Sequence, residues 1–340
     1  MRHAALRLAF GVTGCFALVE ALGWDATFLA PLLTAQMLSK LRQPPSPAQG
    51  LVLVALIGLS TGLVLAITAA FIGHPIVLLL SLGLLLYLSF YTHLRGAPEL
   101  ATLLVQISAV SIPVLAVASP DAASGFAGTL VSAGVVALLT VWVAFAAFPG
   151  GGADSSARAS GKPRRIEQPA AARAALLNTI ILLPILTGFV LVATELAVVV
   201  LIVIVNLLRQ HDPQQGQRAA LGLILGNLVG GLAAAGVYNL VLLNETFLFF
   251  VALCLASTLV FAGRIATAGQ RAPVYVIALA TFILLLGLGL SPLPGGSGEA
   301  FVSRLANVLM ASAYAIGALS VLERWRIRPI PITPDATAGR

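Results

Sequence analysis

Charge is scarce in this sequence. Asp, Glu, Lys and Arg make up 9% of its 340 residues, where a soluble domain carries about 25%. A folded surface of this size cannot be covered in water with so few charges, which excludes an ordinary soluble domain. Cysteine is nearly absent. Cys15 and Cys254 stand far apart in apolar runs, where a thiol acts as a small core residue, so neither a disulfide nor a metal site is expected. Also missing are the GxxxxGK[ST] phosphate loop, the HExxH zinc motif and the GxSxG nucleophile elbow. No ATPase, catalytic residue, cofactor or metal is therefore expected, and active transport would have to draw on an ion gradient or a partner.

What is present is apolar. Hydrophobic residues make up 59% of the chain and mean hydropathy is +1.02, the profile of an integral membrane protein. A spanning helix needs roughly 20 apolar residues. The first half offers six candidates, 6–22, 27–38, 51–72, 76–90, 100–118 and 125–148. The second offers 174–192, 196–208, 219–243, 246–262, 273–290 and 301–322. In each half the second member is short. Turn residues such as Gly23-Trp24-Asp25, Gly73-His74-Pro75 and Gly96-Ala97-Pro98 separate them. The opening has the look of a signal peptide, but Glu20 stands where small residues would mark a cleavage site, so 6–22 is expected to remain as the first helix. The expected organisation is a first transmembrane unit 1–149, a polar linker 150–173, a second unit 174–323 and a tail 324–340.

The net charge of +7 reads as membrane topology, not as nucleic-acid binding. Taking alternate loops from the N-terminus, 18 of the 19 cations fall on one side, and Arg304 alone falls on the other. Six of the twelve acids, among them Glu20, Asp25 and Glu195, lie on the opposite side or at its helix ends. By the positive-inside rule the linker and both termini are cytoplasmic.

The halves echo each other. A cation precedes each first helix (Arg7, Arg173), and an acid precedes each short second helix (Asp25, Glu195). Each short helix carries one amide, Gln36 and Asn206, at the same 170-residue offset as the acids. Each fourth-to-fifth loop ends in Ala-Pro, at Ala97-Pro98 and Ala272-Pro273. Each third helix carries glycines at four-residue spacing, Gly58 and Gly62 against Gly222, Gly226 and Gly230. Such rows serve close helix packing or a hinge. The fold class expected is an all-α polytopic membrane protein of about twelve helices, arranged as two parallel six-helix repeats about an axis along the membrane normal.

Polar groups at membrane depth are costly and mark pathways or interhelical hydrogen bonds. Gln36 and Asn206 stand out because they are repeat-related and would face each other across the axis. Gln106, Asn178, Asn227, Asn239 and Asn307 are further candidates. Arg7, Arg173, Lys40, Arg42 and Arg209 would make the cytoplasmic mouth electropositive, which concentrates anions and also satisfies the positive-inside rule alone. Glu20 and Glu195 are candidates for proton coupling, or are interfacial acids.

The opening HAALRLAFGVTGCFALVEALG, the short second helix with its basic loop and Gly-rich third helix, RGAPEL, and the closing RLANVLMASAYAIGALSVLERW resemble the fusaric acid resistance and aromatic acid exporter group of inner-membrane proteins, in a compact branch without large cytosolic domains. The resemblance implies an inner-membrane exporter of aromatic carboxylic acids or related small toxic compounds, with a small organic anion as substrate, working with a periplasmic adaptor of the membrane-fusion type. The expected function is thus one subunit of a small-molecule efflux system in the lipid bilayer. A passive anion channel and a non-transporting subunit of an envelope assembly complex are the alternatives.

Overall fold

Proline and capping residues set several helix starts. Pro47 follows Ser46, whose hydroxyl accepts from the Gln49 amide at 3.3 Å while the Gln49 side chain accepts from the Ser46 amide at 3.0 Å, a reciprocal capping box. Pro75 and Pro120 likewise stand in first turns, where a missing N–H costs nothing. Gly23 and Gly96 turn the chain with φ of 64° and 88°, the left-handed region glycine enters without strain.

In a computed structural model the described residues are 2–24, 26–149, 168–192, 196–210, 216–244 and 246–290, with Met310, Tyr314 and Gly317. They form helices α1 (Arg2–Ala21), α2 (Leu29–Lys40), α3 (Pro47–Phe71), α4 (Pro75–Leu94), α5 (Glu99–Ala118), α6 (Pro120–Ala147), α7 (Gln168–Val192), α8 (Leu196–Gln210), α9 (Gly216–Leu243), α10 (Phe247–Thr267) and α11 (Ala272–Leu290), with no strand among them. The expected twelfth span, 301–322, falls outside the described residues except for those three, and so does most of the linker. Helix α7 starts at Gln168 and takes in the last six residues of the segment expected as linker. Ala170, Ala171 and Ala172 are strong helix formers, and Pro169 is tolerated in a first turn.

Nine helices among the described residues are long and apolar enough to cross a bilayer. The expected short second helices do form, as α2 with 12 residues and α8 with 15, but at 1.5 Å per residue neither reaches roughly 30 Å unaided. Helix α2 is buried nearly all round, from Leu29 to Leu38, as an apolar core helix should be. The outward faces of α3, α4, α6 and α10 are apolar: Leu51, Leu59, Ile76, Leu80, Val143 and Leu248 are all exposed. Side chains like these meet lipid tails without penalty, so the chain is a multi-pass membrane protein in contact with the bilayer.

Helix α5 is the centre of the first half. Its apolar stretch is 72% buried, and no other candidate span exceeds 56%. It packs against α3, α4 and α6, and also against α7 and α8 of the second half. Three more contacts cross between the halves: α1 on α10, α4 on α7 and α2 on α11. The α1–α10 contact includes a Thr13–Thr258 hydroxyl pair at 2.9 Å. At α2–α11 the Thr27 hydroxyl donates to the Gly287 carbonyl at 2.7 Å. A Cβ on Gly287 would lie 2.6 Å from that of Phe28, so the contact needs glycine.

The glycine rows differ between the halves. Gly226 and Gly230 press on α11; a Cβ on Gly230 would collide with the Ala278 carbonyl and lie 2.9 Å from Thr281 Cβ. Gly58 and Gly62 meet nothing within 4 Å, so the close-packing expectation fails for them. In the first half the tight spots are Gly11, against Leu38, Gly50, against Leu138 and Trp142, and Gly134, against Ile57.

Candidate functional site

One end of the bundle gathers the cation-bearing termini of α1, α2, α4 and α8 with the start of α5. Here the sequence places a cation at the last residue of α2, Lys40, and at the last but one of α8, Arg209. Cations are favoured at helix C-termini. Both converge on the first turns of α5. Lys40 Nζ pairs with the Glu99 carboxylate. Arg209 reaches across from the second half: Nη1 donates to Thr102 Oγ1 at 3.0 Å and to Gln106 Oε1 at 2.8 Å, and Nη2 donates to the Glu99 carbonyl at 2.7 Å. Glu99, Thr102 and Gln106 follow i, i+3, i+7 spacing, which sets them on one face of a helix. Thr102 also contacts His93 Nδ1 at 3.3 Å, and the Ser89 hydroxyl donates to its carbonyl at 3.1 Å.

The electrostatics of this cluster are unbalanced. Arg209 is 9% exposed, yet all three of its hydrogen-bond acceptors are neutral oxygens. Among the described residues the one carboxylate nearby, Glu99, is paired with Lys40. Two cations and the positive end of the α5 dipole thus share one acid. The geometry satisfies the guanidinium's directionality and leaves excess positive potential where the halves meet. Gln106 is fully buried, and its Nε2 has no partner among the described residues.

The other expected residues are spread out. Arg7 is buried on α1, with its guanidinium carbon 3.9 Å from the Phe145 ring centroid. With Arg42 it lines a separate open cleft of about 410 Å³. Arg173 is exposed on α7. Gln36 and Asn206 are both half-buried, but no hydrogen bond joins them; the Asn206 amide donates to Ile202 of its own helix at 3.0 Å. Glu20 is half-buried, and its Oε2 has no partner among the described residues. Glu195 lies outside the described residues. The structure therefore divides the expected basic mouth into a Lys40–Arg209 cluster and an Arg7–Arg42 cleft. The sequence reasoning missed Glu99, Thr102 and His93. The available signal was the one-face spacing of Glu99, Thr102 and Gln106 directly after Pro98.

Residues 4–144 match the model of DUF2955, a protein family of unknown function. The DUF2955 match runs from the start of α1 almost to the end of α6. It takes in Arg7, Lys40, Arg42, Glu99, Thr102 and Gln106, and leaves out Arg209. It names no activity and does not carry the narrower resemblance to aromatic acid exporters. No curated protein and no solved structure matches the chain.

Proposed function

We propose that the chain is the inner-membrane subunit of a small-molecule efflux system that carries organic anions, aromatic carboxylic acids among them, out of the cytoplasm on an ion gradient. The observation that carries this reading is Arg209: a buried guanidinium at the meeting of the two halves, held by neutral oxygens. Burying such a charge costs several kcal/mol, and an organic anion arriving beside it would offset part of that cost. Lys40 widens the positive field towards the basic end, and the unpartnered Gln106 Nε2 supplies a donor for a carboxylate. Gln36 and Asn206 would line the same route further in.

The two-repeat arrangement belongs to the proposal and has support in the packing. If α7 to α11 repeat α1 to α5, the contacts between halves fall into reciprocal pairs. Helix α1 packs on α10 as α7 packs on α4, and α2 packs on α11 as α8 packs on α5. A two-fold axis along the membrane normal produces such pairs. The clustered cations support an orientation with the basic end cytoplasmic. A periplasmic membrane-fusion adaptor is the partner proposed for the opposite end, and Glu20 the proton-coupling acid.

Growth of a deletion strain across aromatic acids and cationic drugs tests the reading. Sensitivity to aromatic acids alone, rescued by the wild type and not by Arg209→Gln at equal membrane expression, is the expected result. Growth indistinguishable from the parent on every compound would refute the exporter. The buried Arg209 charge, held by neutral oxygens, also suits a passive anion channel. Currents that reverse at the anion equilibrium potential and ignore the proton gradient would favour that reading.

A further inference from the structure

The cleft between α1, α6 and the α2–α3 loop is a second cationic site, separate from the Arg209 cluster. Among its lining residues are Arg7, Arg42, Gln43, Trp142, Phe145 and Pro149, and none of the described lining residues is acidic. Arg7 is 4% exposed. Its Nε and Nη1 are buried without a hydrogen-bond partner among the described residues, so the Phe145 ring beneath it is what the protein offers this charge. A ring quadrupole recovers only part of the cost of burying a guanidinium. Among the described residues nothing offers Arg7 an anionic acceptor.

The surroundings indicate what carries that acceptor. Phe10, one turn along α1 from Arg7, is 43% exposed and meets the Phe148 ring, tilted by 36°, at 5.1 Å. Leu139 and Val143, on the helix that supplies Trp142 and Phe145, are 51% and 67% exposed. The cleft thus adjoins lipid-facing apolar surface. The Trp142 indole donates to the Pro45 carbonyl at 2.8 Å, the interfacial pose of an aromatic with one polar end. A free anion would use the cations and leave the apolar margin idle. A lipid uses both.

We propose that this cleft binds the phosphate headgroup of an anionic membrane lipid, with Arg7 and Arg42 on the phosphate and the acyl chains along Phe10, Leu139 and Val143. A basic pocket between helices at the charged end of a bundle is suited to such a headgroup, and about 410 Å³ admits a glycerophosphate.

The test is native mass spectrometry of the full-length protein from detergent with added dioleoyl phosphatidylglycerol or phosphatidylcholine. Phosphatidylglycerol should be retained over phosphatidylcholine, and Arg42→Gln and Arg7→Gln should each weaken it about fivefold, leaving phosphatidylcholine unchanged. Arg42 is exposed on a loop, so its variant carries the test even where Arg7→Gln does not fold. Equal retention of the two lipids, or wild-type phosphatidylglycerol binding in Arg42→Gln, would overturn the proposal. So would displacement of the lipid by equimolar inorganic phosphate or benzoate, which would mark a free-anion site.

Discussion

Replacing Arg209 by Met separates what the network does for the fold from what it does for an anion. The substitution removes three hydrogen bonds. Two of the three acceptors lose little. The Glu99 carbonyl still accepts from Thr102 Oγ1 at 3.0 Å, which in turn keeps its contact with His93. The third is different. Gln106 is fully buried and its Nε2 is already unpartnered, so losing the bond to Oε1 orphans the whole amide, at about 1–3 kcal/mol. Removing a buried guanidinium returns its desolvation cost, and a flexible methionine fills much of the same volume. The net expectation for Arg209→Met is a destabilisation of about 1–2 kcal/mol, most of it the Gln106 amide. Adding Gln106→Leu should restore most of that loss, since exchanging a whole polar set for apolar groups is close to neutral. Transport should not return. Efflux of an aromatic carboxylate should fall at least roughly tenfold in both variants, because the positive potential is gone in both. Unfolding of the purified protein in detergent and efflux from reconstituted vesicles read the two effects separately. A double variant that is stable and transports normally would refute a transport role for Arg209. One no more stable than Arg209→Met would refute the orphaned amide as the cause of the loss.

Gly230→Ala should destabilise by about 1–3 kcal/mol, because the added methyl meets the Ala278 carbonyl and α9 must move off α11. Gly58→Ala, with nothing within 4 Å, should stabilise by up to about 1 kcal/mol; thermal unfolding in detergent distinguishes the two. Thr258→Val breaks the 2.9 Å bond to Thr13 and should cost about 0.6–1.7 kcal/mol, measured in a double-mutant cycle with Thr13→Val. Lys40→Gln loses an ion pair whose side chains are 43% and 44% exposed; it should cost under about 1 kcal/mol, less at high salt, so a larger loss in a salt titration would show that the pair is shielded from solvent.

The membrane class and most helix positions were legible because they depend on local properties. Apolar runs of spanning length and the glycines of the Gly23 and Gly96 turns each state their effect within a few residues, whereas the starts at Pro47 and Pro120 lie before the apolar runs that begin at 51 and 125. The shortness of α2 and α8 was legible for the same reason. What stayed hidden depends on partners distant in the chain. Gly58 and Gly230 look alike in sequence, yet a Cβ on Gly230 would meet Ala278 and Thr281 of α11 while one on Gly58 would meet nothing within 4 Å. Gln36 and Asn206 are matched by offset, but position in a repeat does not say where a side chain points, and the Asn206 amide turns to the Ile202 carbonyl of its own helix.

The basic residues show the same limit most sharply. Counting cations by loop gives Arg7, Lys40, Arg42 and Arg209 one common label, since the positive-inside rule depends only on which end of a helix a charge occupies. Their chemistry depends on depth. Arg42 and Lys40 are exposed, where a cation costs little. Arg7 and Arg209 are 4% and 9% exposed, where each needs compensation from a neighbour. Arg209 finds it in Thr102, Gln106 and Glu99, more than a hundred residues earlier in the chain. Among the described residues Arg7 finds the face of Phe145 and no acceptor for its Nε and Nη1. Two cations of equal standing in the sequence therefore leave different deficits. Among the described residues Arg209 has its hydrogen bonds and shares one acid, Glu99, with Lys40, which fits an anion passing through. Arg7 lacks both, which fits an anion that stays.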